Sequence, residues 1–135
     1  MSIAIPESTR AVIAASTFTL SDCAYVFVKA GAVTHHDDHL MIVRDRLDTT
    51  VVTEEKNLGS VEVLARNPER WALLSIVCAN PFYCVGFVAA IANAFTEAGL
   101  DILAVSAFTL DLVFVKDSER EAARRILTEV GFKAG

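Results

Sequence analysis

The sequence predicts a mixed α+β fold in which helices pack on one face of largely antiparallel sheets, and three observations carry that reading. From Trp71 onward, apolar residues switch between strand and helix periodicity in the order strand, helix, strand, strand, helix. Before Gly59, short strand-like runs are separated by polar connections. The composition, 53% apolar and 21% charged over 135 residues, supplies a core for one ordinary domain or for two very small subdomains.

Trp71-Ala-Leu-Leu-Ser-Ile-Val-Cys78 is a short apolar run suited to a buried strand, and Asn80-Pro81 marks its end. Val85, Val88, Ile91, Ala92 and Phe95 then recur at three- and four-residue spacing before Gly99, a glycine able to terminate a helix in a left-handed conformation. This predicts a helix from about Cys84 to Ala98. Asp101–Phe108 and Asp111–Lys116 are rich in β-branched and aromatic residues with a short break between them, which predicts an antiparallel hairpin. Ser118 stands three residues before Glu121, a capping-box spacing, and Ala122, Ala123, Ile126, Leu127 and Val130 form one apolar stripe before Gly131. The order matches a βαββαβ ferredoxin-like module lacking its last strand, which either Phe132 onward or the amino-terminal half could supply.

In the amino-terminal half, Ala11–Thr19, Ala24–Lys29, Leu40–Arg44 and Thr50–Thr53 read as strands, and no helix stands out. His35-His-Asp-Asp-His39 and Glu54–Gly59 read as exposed connections. The module boundary is placed between residues 62 and 63, giving subdomains 1–62 and 63–135, the first a degenerate copy of the second.

Composition also excludes function classes. The apolar runs stop short of the roughly 18 to 20 residues a membrane-spanning helix needs, and the first residues lack the basic and apolar regions of a secretory signal, so a cytoplasmic protein is expected. Cys23, Cys78 and Cys84 form no Cys-x-x-Cys pair and sit among apolar neighbours, which predicts reduced thiols without a catalytic role. A formal charge of −5 opposes binding to nucleic acid, and Arg120, Arg124 and Arg125 alternate with acidic residues as on a solvated helix face.

Val52-Thr-Glu-Glu55, Glu69-Arg-Trp71, Val85-Gly-Phe-Val-Ala-Ala-Ile-Ala92, Ala98-Gly-Leu-Asp-Ile102 and Ser106-Ala-Phe-Thr-Leu-Asp111 ahead of Leu112-Val-Phe-Val115 follow one another in this order. In that combination the chain resembles the ACT-domain family, and within it the CASTOR-like tandem ACT amino-acid-binding proteins with their small bacterial members. The resemblance implies two ACT-like modules, frequent dimerisation, a regulatory and non-catalytic role without a cofactor, and a free amino acid bound where modules meet. Carried over by position, it implies ligand contacts from Asn80, Pro81, Phe82, Gly86 and Phe87 at the first strand-helix turn, from Glu69 near the tryptophan, and from Ser106 and Asp111. Two departures stand out: the Asn-Pro-Phe-Tyr-Cys-Val turn lacks the glycine-rich stretch of the arginine sensors, and Ala107 stands where threonine is common.

The residues themselves suit that chemistry, since a helix amino terminus near Gly86 offers backbone N–H groups to a carboxylate and Asp111 offers a charged acceptor to an ammonium group. Each has a plainer reading: Gly86 as a close-packing glycine, Asp111 as a turn residue bonding its own backbone, Glu69 as a surface residue. Two rival functions stay open at this point. The imidazoles and carboxylates of His35, His36, Asp37, Asp38 and His39 are ligand types for a transition metal, which would make the chain a metal-binding protein or a minor enzyme using that loop. A purely structural oligomerisation module is the other. No nucleophile elbow or phosphate-binding loop frames Ser106, Cys78, Cys84 or His39 as catalytic.

Overall fold

The structure, a computed structural model, describes residues 4–135. Two compact units divide them: residues up to Ser21 together with Ala72–Gly135, and Asp22–Trp71. The sequence reading draws a single line after residue 62, whereas the units are not sequential halves, because the first twenty-one residues group with the carboxyl-terminal segment.

The larger unit contains helix α1 (Glu7–Ala14), the first residues of strand β1 (Thr17–Val33), β5 (Trp71–Val77), helix α2 (Phe87–Glu97), β6 (Leu103–Ser106), β7 (Leu110–Lys116), helix α3 (Arg120–Val130) and the two-residue β8 (Lys133–Ala134). Its strands run in the order β1, β5, β7, β6, with β8 parallel to β1 through Thr17–Lys133 and Phe18–Ala134. The expected fourth strand is thus supplied from both suggested sources, β8 after Phe132 and the start of β1. β6 and β7 form the predicted antiparallel hairpin, Leu103 facing Phe114 and Ser106 facing Asp111.

One core unites this unit: Phe18, Leu74 and Ile76 from strands, Phe87, Ile91 and Phe95 from α2, and Ile126 and Leu127 from α3. Phe87 and Phe132 meet edge to face at 5.5 Å. Of the stripe read for α3, Ala123, Ile126 and Leu127 are buried; of that read for α2, Ile91 and Phe95 are buried, whereas Val85 precedes the helix and is exposed with Val88, and Phe87 and Ala90 complete the buried face instead. α2 begins at Phe87, three residues later than expected, because Gly86 precedes it with φ 82°. At α3 the Ser118–Glu121 pair forms no side-chain cap; a 3-10 turn, Asp117–Glu119, leads into the helix instead.

α1 corrects the strand expected over Ala11–Thr19. Thr9, Val12 and Ile13 are β-branched and favour extended backbone in isolation, but tertiary context overrides that preference. The Pro6 carbonyl accepts bonds from the Thr9 and Arg10 N–H groups, Thr9 and Ile13 are buried, and the Thr9 hydroxyl donates to the Val85 carbonyl.

The smaller unit has four strands and no α-helix: β1 from Asp22, β2 (Met41–Arg44), β3 (Thr49–Thr53) and β4 (Val61–Arg66). β3 and β4 both pair antiparallel with β1, and β2 pairs antiparallel with β3. β4 falls across the boundary drawn from sequence and was not anticipated; Val61 alone among its residues is buried, so it lacks an alternating pattern. Val26, Val28, Ala30, Val51 and Val61 make the core. The β1–β4 register shifts on either side of Ala30. Beside that bulge the Glu62 carboxylate accepts from the Ala32 N–H at 2.9 Å, and an added Cβ at Gly31 would meet the same carboxylate oxygen at 2.1 Å, so a larger residue there would displace the Glu62 side chain from that bond.

Within this unit, the expected exposed histidine loop is only partly exposed. His39 is 8% exposed. Its Nδ1 lies 2.9 Å from the hydroxyl of the fully buried Thr53, and its Nε2 lies 3.1 Å from both the Thr34 carbonyl and the Ser60 hydroxyl. A carbonyl can only accept, so Nε2 carries the proton and Nδ1 accepts from Thr53. The Ser60 hydroxyl donates to the Asn57 carbonyl and is free to accept from Nε2.

Candidate functional site

Within the larger unit, a cleft of about 360 Å³ lies among three local elements: the turn from Cys78 to Cys84, the first turn of α2, and the tip of the β6–β7 hairpin. The turn is held from within by the Asn80 side-chain amide, which donates to the Tyr83 carbonyl at 3.0 Å, and from outside by Ser16, whose hydroxyl accepts from the Ala79 N–H at 2.9 Å.

The hairpin places the acidic group. Ser106 and Asp111 face each other across the two strands, and the Ala107 N–H donates to the Leu110 carbonyl at 2.9 Å, closing the tip. The five-residue separation of serine and aspartate is thus a consequence of strand register. The Ser106 hydroxyl donates to Asp111 Oδ1 at 2.8 Å, which orients the carboxylate at the lining of the cleft.

Aromatic rings form the lip. Phe82 adopts φ 70°, a left-handed conformation that bulky residues rarely take, and it is 67% exposed. Phe108, from the hairpin tip, is 82% exposed and meets Phe82 edge to face at 5.1 Å. A strained, solvent-facing aromatic pair contributes little to folding, since neither ring is removed from water.

Of the residues expected from sequence, Asn80, Pro81, Phe82, Phe87, Ser106 and Asp111 come together around this cleft. Gly86 does not line it. A Cβ there would meet Pro6 Cδ at 3.4 Å and Ile5 Cδ1 at 3.8 Å, so its open side faces the amino-terminal segment and its left-handed backbone sets the start of α2. Glu69 belongs to the smaller unit, is exposed, and has its N–H bonded to the Asn67 side chain at 2.9 Å. Cys78, Cys84, Val88 and Phe108 also line the cleft. The sequence reading left them out because apolar residues at core spacing carry no functional signal of their own. Burial, the dominant effect, raises the Cys78 thiol above its ordinary pKa, with the neighbouring Cys84 adding to it.

Among the described residues no group of three or more His, Cys, Asp or Glu side chains is placed to hold a metal ion. In the histidine loop, His35 Nδ1 contacts the Thr34 hydroxyl at 3.2 Å, and both nitrogens of His39 are engaged as described above.

Residues 66–129 match the family model of the ACT domain. No curated protein matches the chain. Among solved structures, a Vibrio cholerae protein of unknown function is 21% identical with a TM-score of 0.75, over 93% of this chain and 97% of that one. The ligand-free regulatory subunit of aspartate kinase from Thermus thermophilus is 14% identical with a TM-score of 0.59, over 84% of this chain and 95% of that one. Aspartate kinase from Clostridium acetobutylicum, an allosteric enzyme, is 10% identical with a TM-score of 0.59, over 86% of this chain and 33% of that one. These identities speak to fold alone, and with the family match over residues 66–129 they support an α+β, ferredoxin-like fold of the ACT type.

Proposed function

We propose that the chain is a non-catalytic regulatory protein that binds a free amino acid in the cleft beside Asp111, acting in the cytoplasm as a homodimer. ACT domains are regulatory ligand-binding domains, and the Thermus thermophilus neighbour is the regulatory subunit of its aspartate kinase. The observation that carries the reading is Asp111, oriented by Ser106 at the wall of a 360 Å³ cleft. It is suited to an ammonium group, while the N–H groups of the first turn of α2 are suited to a carboxylate. Gly86 enters by shaping that turn, and Glu69 would contribute only to a ligand whose side chain is a donor or cation. The likeness to CASTOR-type tandem sensors rests on the sequence motifs, with each compact unit read as one module. No helix among the described residues is long and apolar enough to cross a membrane, in keeping with a cytoplasmic setting. Exposed Tyr83, Val85 and Phe108, each more than 80% accessible, offer apolar surface to a second copy.

Calorimetric titration with the twenty amino acids tests the proposal. At least one should bind saturably, and Asp111→Ala should weaken it ten- to a hundredfold, the equivalent of losing one charged hydrogen bond at about 1.5 to 3 kcal/mol. A monomer by light scattering that takes up no amino acid would leave the structural-module reading in its place.

A further inference from the structure

We infer that the ligand of this cleft is an α-amino acid with an uncharged aliphatic side chain, seated in an apolar annex behind Asp111. The inference rests on the amino-acid reading above and adds the ligand's class to it. A second cavity of about 100 Å³ adjoins the cleft, sharing Val88, Ser106 and Asp111 with it. The rest of its wall is apolar, with Ile91 from α2, Ile102, and Ala104 and Val113 from the hairpin. Asp111 is the only Asp, Glu, Lys, Arg or His among the described residues lining either cavity.

Charge counting then selects the ligand. One fixed carboxylate balances one ammonium group, and the α-amino group of any amino acid meets that need. Lysine or arginine would bring a second positive charge with no second carboxylate to receive it, and would push a polar end into a wall without partners. Aspartate or glutamate would set a second carboxylate near Asp111 with no cation between them. An aliphatic side chain loses only its contact with water on entering the annex, which is favourable. The volume sets its size. About 100 Å³ corresponds to roughly three waters at about 30 Å³ each, room for a side chain of three or four heavy atoms.

Strand pairing supplies the discriminating variant. Ala104 faces Val113 across the hairpin, so the two side chains lie on the same face of the sheet, where Val113 is in the core. Ala104 itself is exposed. Ala104→Leu therefore adds bulk to the annex without burying a new side chain in the existing core.

The test is calorimetric titration of the full chain with leucine, isoleucine, valine, methionine and alanine, against arginine, lysine, aspartate and glutamate. The aliphatic set is expected to bind at least tenfold more tightly than every charged amino acid, the scale on which single methylenes and unpaired polar groups discriminate. Ala104→Leu, its fold checked by circular dichroism, should weaken leucine at least tenfold while leaving alanine within about threefold. A charged amino acid that binds as tightly as leucine overturns the proposal while the amino-acid reading stands. So does an Ala104→Leu protein that still binds leucine at full affinity. If none of the nine compounds gives heat, the aliphatic proposal fails, and titration with the remaining eleven amino acids decides the amino-acid reading separately.

Discussion

Replacing His39 by alanine should destabilise the protein far more than replacing either of its neighbours in the same loop. His39 is buried to 8% exposure and makes three polar contacts, of which the one to Thr53 is fully buried and those to Thr34 and Ser60 are partly so. Its loss strands the hydroxyl of Thr53, which is fully inaccessible, at about 1 to 3 kcal/mol. It also empties the volume of an imidazole, adding a cost on the order of 2 kcal/mol for a truncated buried ring. The sum is about 3 to 5 kcal/mol. At roughly 3 to 5 °C per kcal/mol for a chain of this size, the melting temperature should fall by about 10 °C or more. His35 and His36 are exposed, and their alanine variants should stay within about 0.5 kcal/mol of the parent. Urea titration followed by circular dichroism measures all three. Thr53→Val in the His39→Ala background supplies the internal control: with the hydroxyl gone there is no stranded donor, and about 1 kcal/mol should return relative to the sum of the single changes. A His39→Ala protein as stable as His36→Ala would refute the assignment of His39 to the core.

Three other outcomes are expected. Phe82→Gly relieves a left-handed conformation that costs a bulky residue about 1 to 2 kcal/mol and adds about 1 kcal/mol of chain entropy to folding, so stability should change by no more than about 1 kcal/mol while ligand affinity drops; a large loss of stability would show the ring to be structural. Burial, reinforced by a hydrogen bond with Cys23, pushes Tyr25 from 10.0 up to about 12. Between those values the unfolded chain has lost a proton that the folded chain keeps, so this contribution is complete below pH 10 and declines as pH rises toward 12. Urea midpoints should fall across that window, and Tyr25→Phe should flatten the decline. Iodoacetamide at neutral pH should reach half-buried Cys23 and Cys84 before buried Cys78, whose thiol burial holds in its protonated form, and all three should react after denaturation; mass mapping that finds Cys78 modified first would contradict the structure.

The segment from Trp71 to Gly131 was legible because its signals are local. Val88, Ile91 and Phe95 repeat at helical spacing, Gly99 and Gly131 stop their helices with positive φ, and the hairpin's β-branched runs are continuous. The amino-terminal segment was not legible for the opposite reason. α1 is short, β-branched and held by Thr9 reaching a carbonyl 76 residues away, information no local window contains. β4 is likewise specified by its partner: Val61 is its one buried residue, and its pairing with β1 accommodates two register shifts. His39 illustrates the same limit inside a loop. Three histidines among aspartates read as uniformly polar, yet one ring turns inward because Thr53, fourteen residues on, gives its nitrogen a buried partner.

The candidate site divides along the same line. Ser106 and Asp111 came from the family motif, and the structure adds that hairpin register makes them cross-strand neighbours joined by a hydrogen bond. Asn80, Pro81 and Phe82 came from the family resemblance, carried over onto a strand end that Asn80-Pro81 marks in the sequence. What sequence could not supply is the surface against which Gly86 packs. The left-handed turn there was readable as glycine's conformational freedom, but the occupant of its open side, Ile5 and Pro6, comes from the far end of the chain. That occupant matters for mechanism. With the glycine's open side covered by protein, a ligand carboxylate would have to reach the N–H groups of α2 from within the cleft, which Phe87, Val88 and Asp111 all line. The two charged ends of an amino acid would then be received within one cleft of a single unit, and Asp111 would set the ligand's orientation before any partner subunit closed over the aromatic lip.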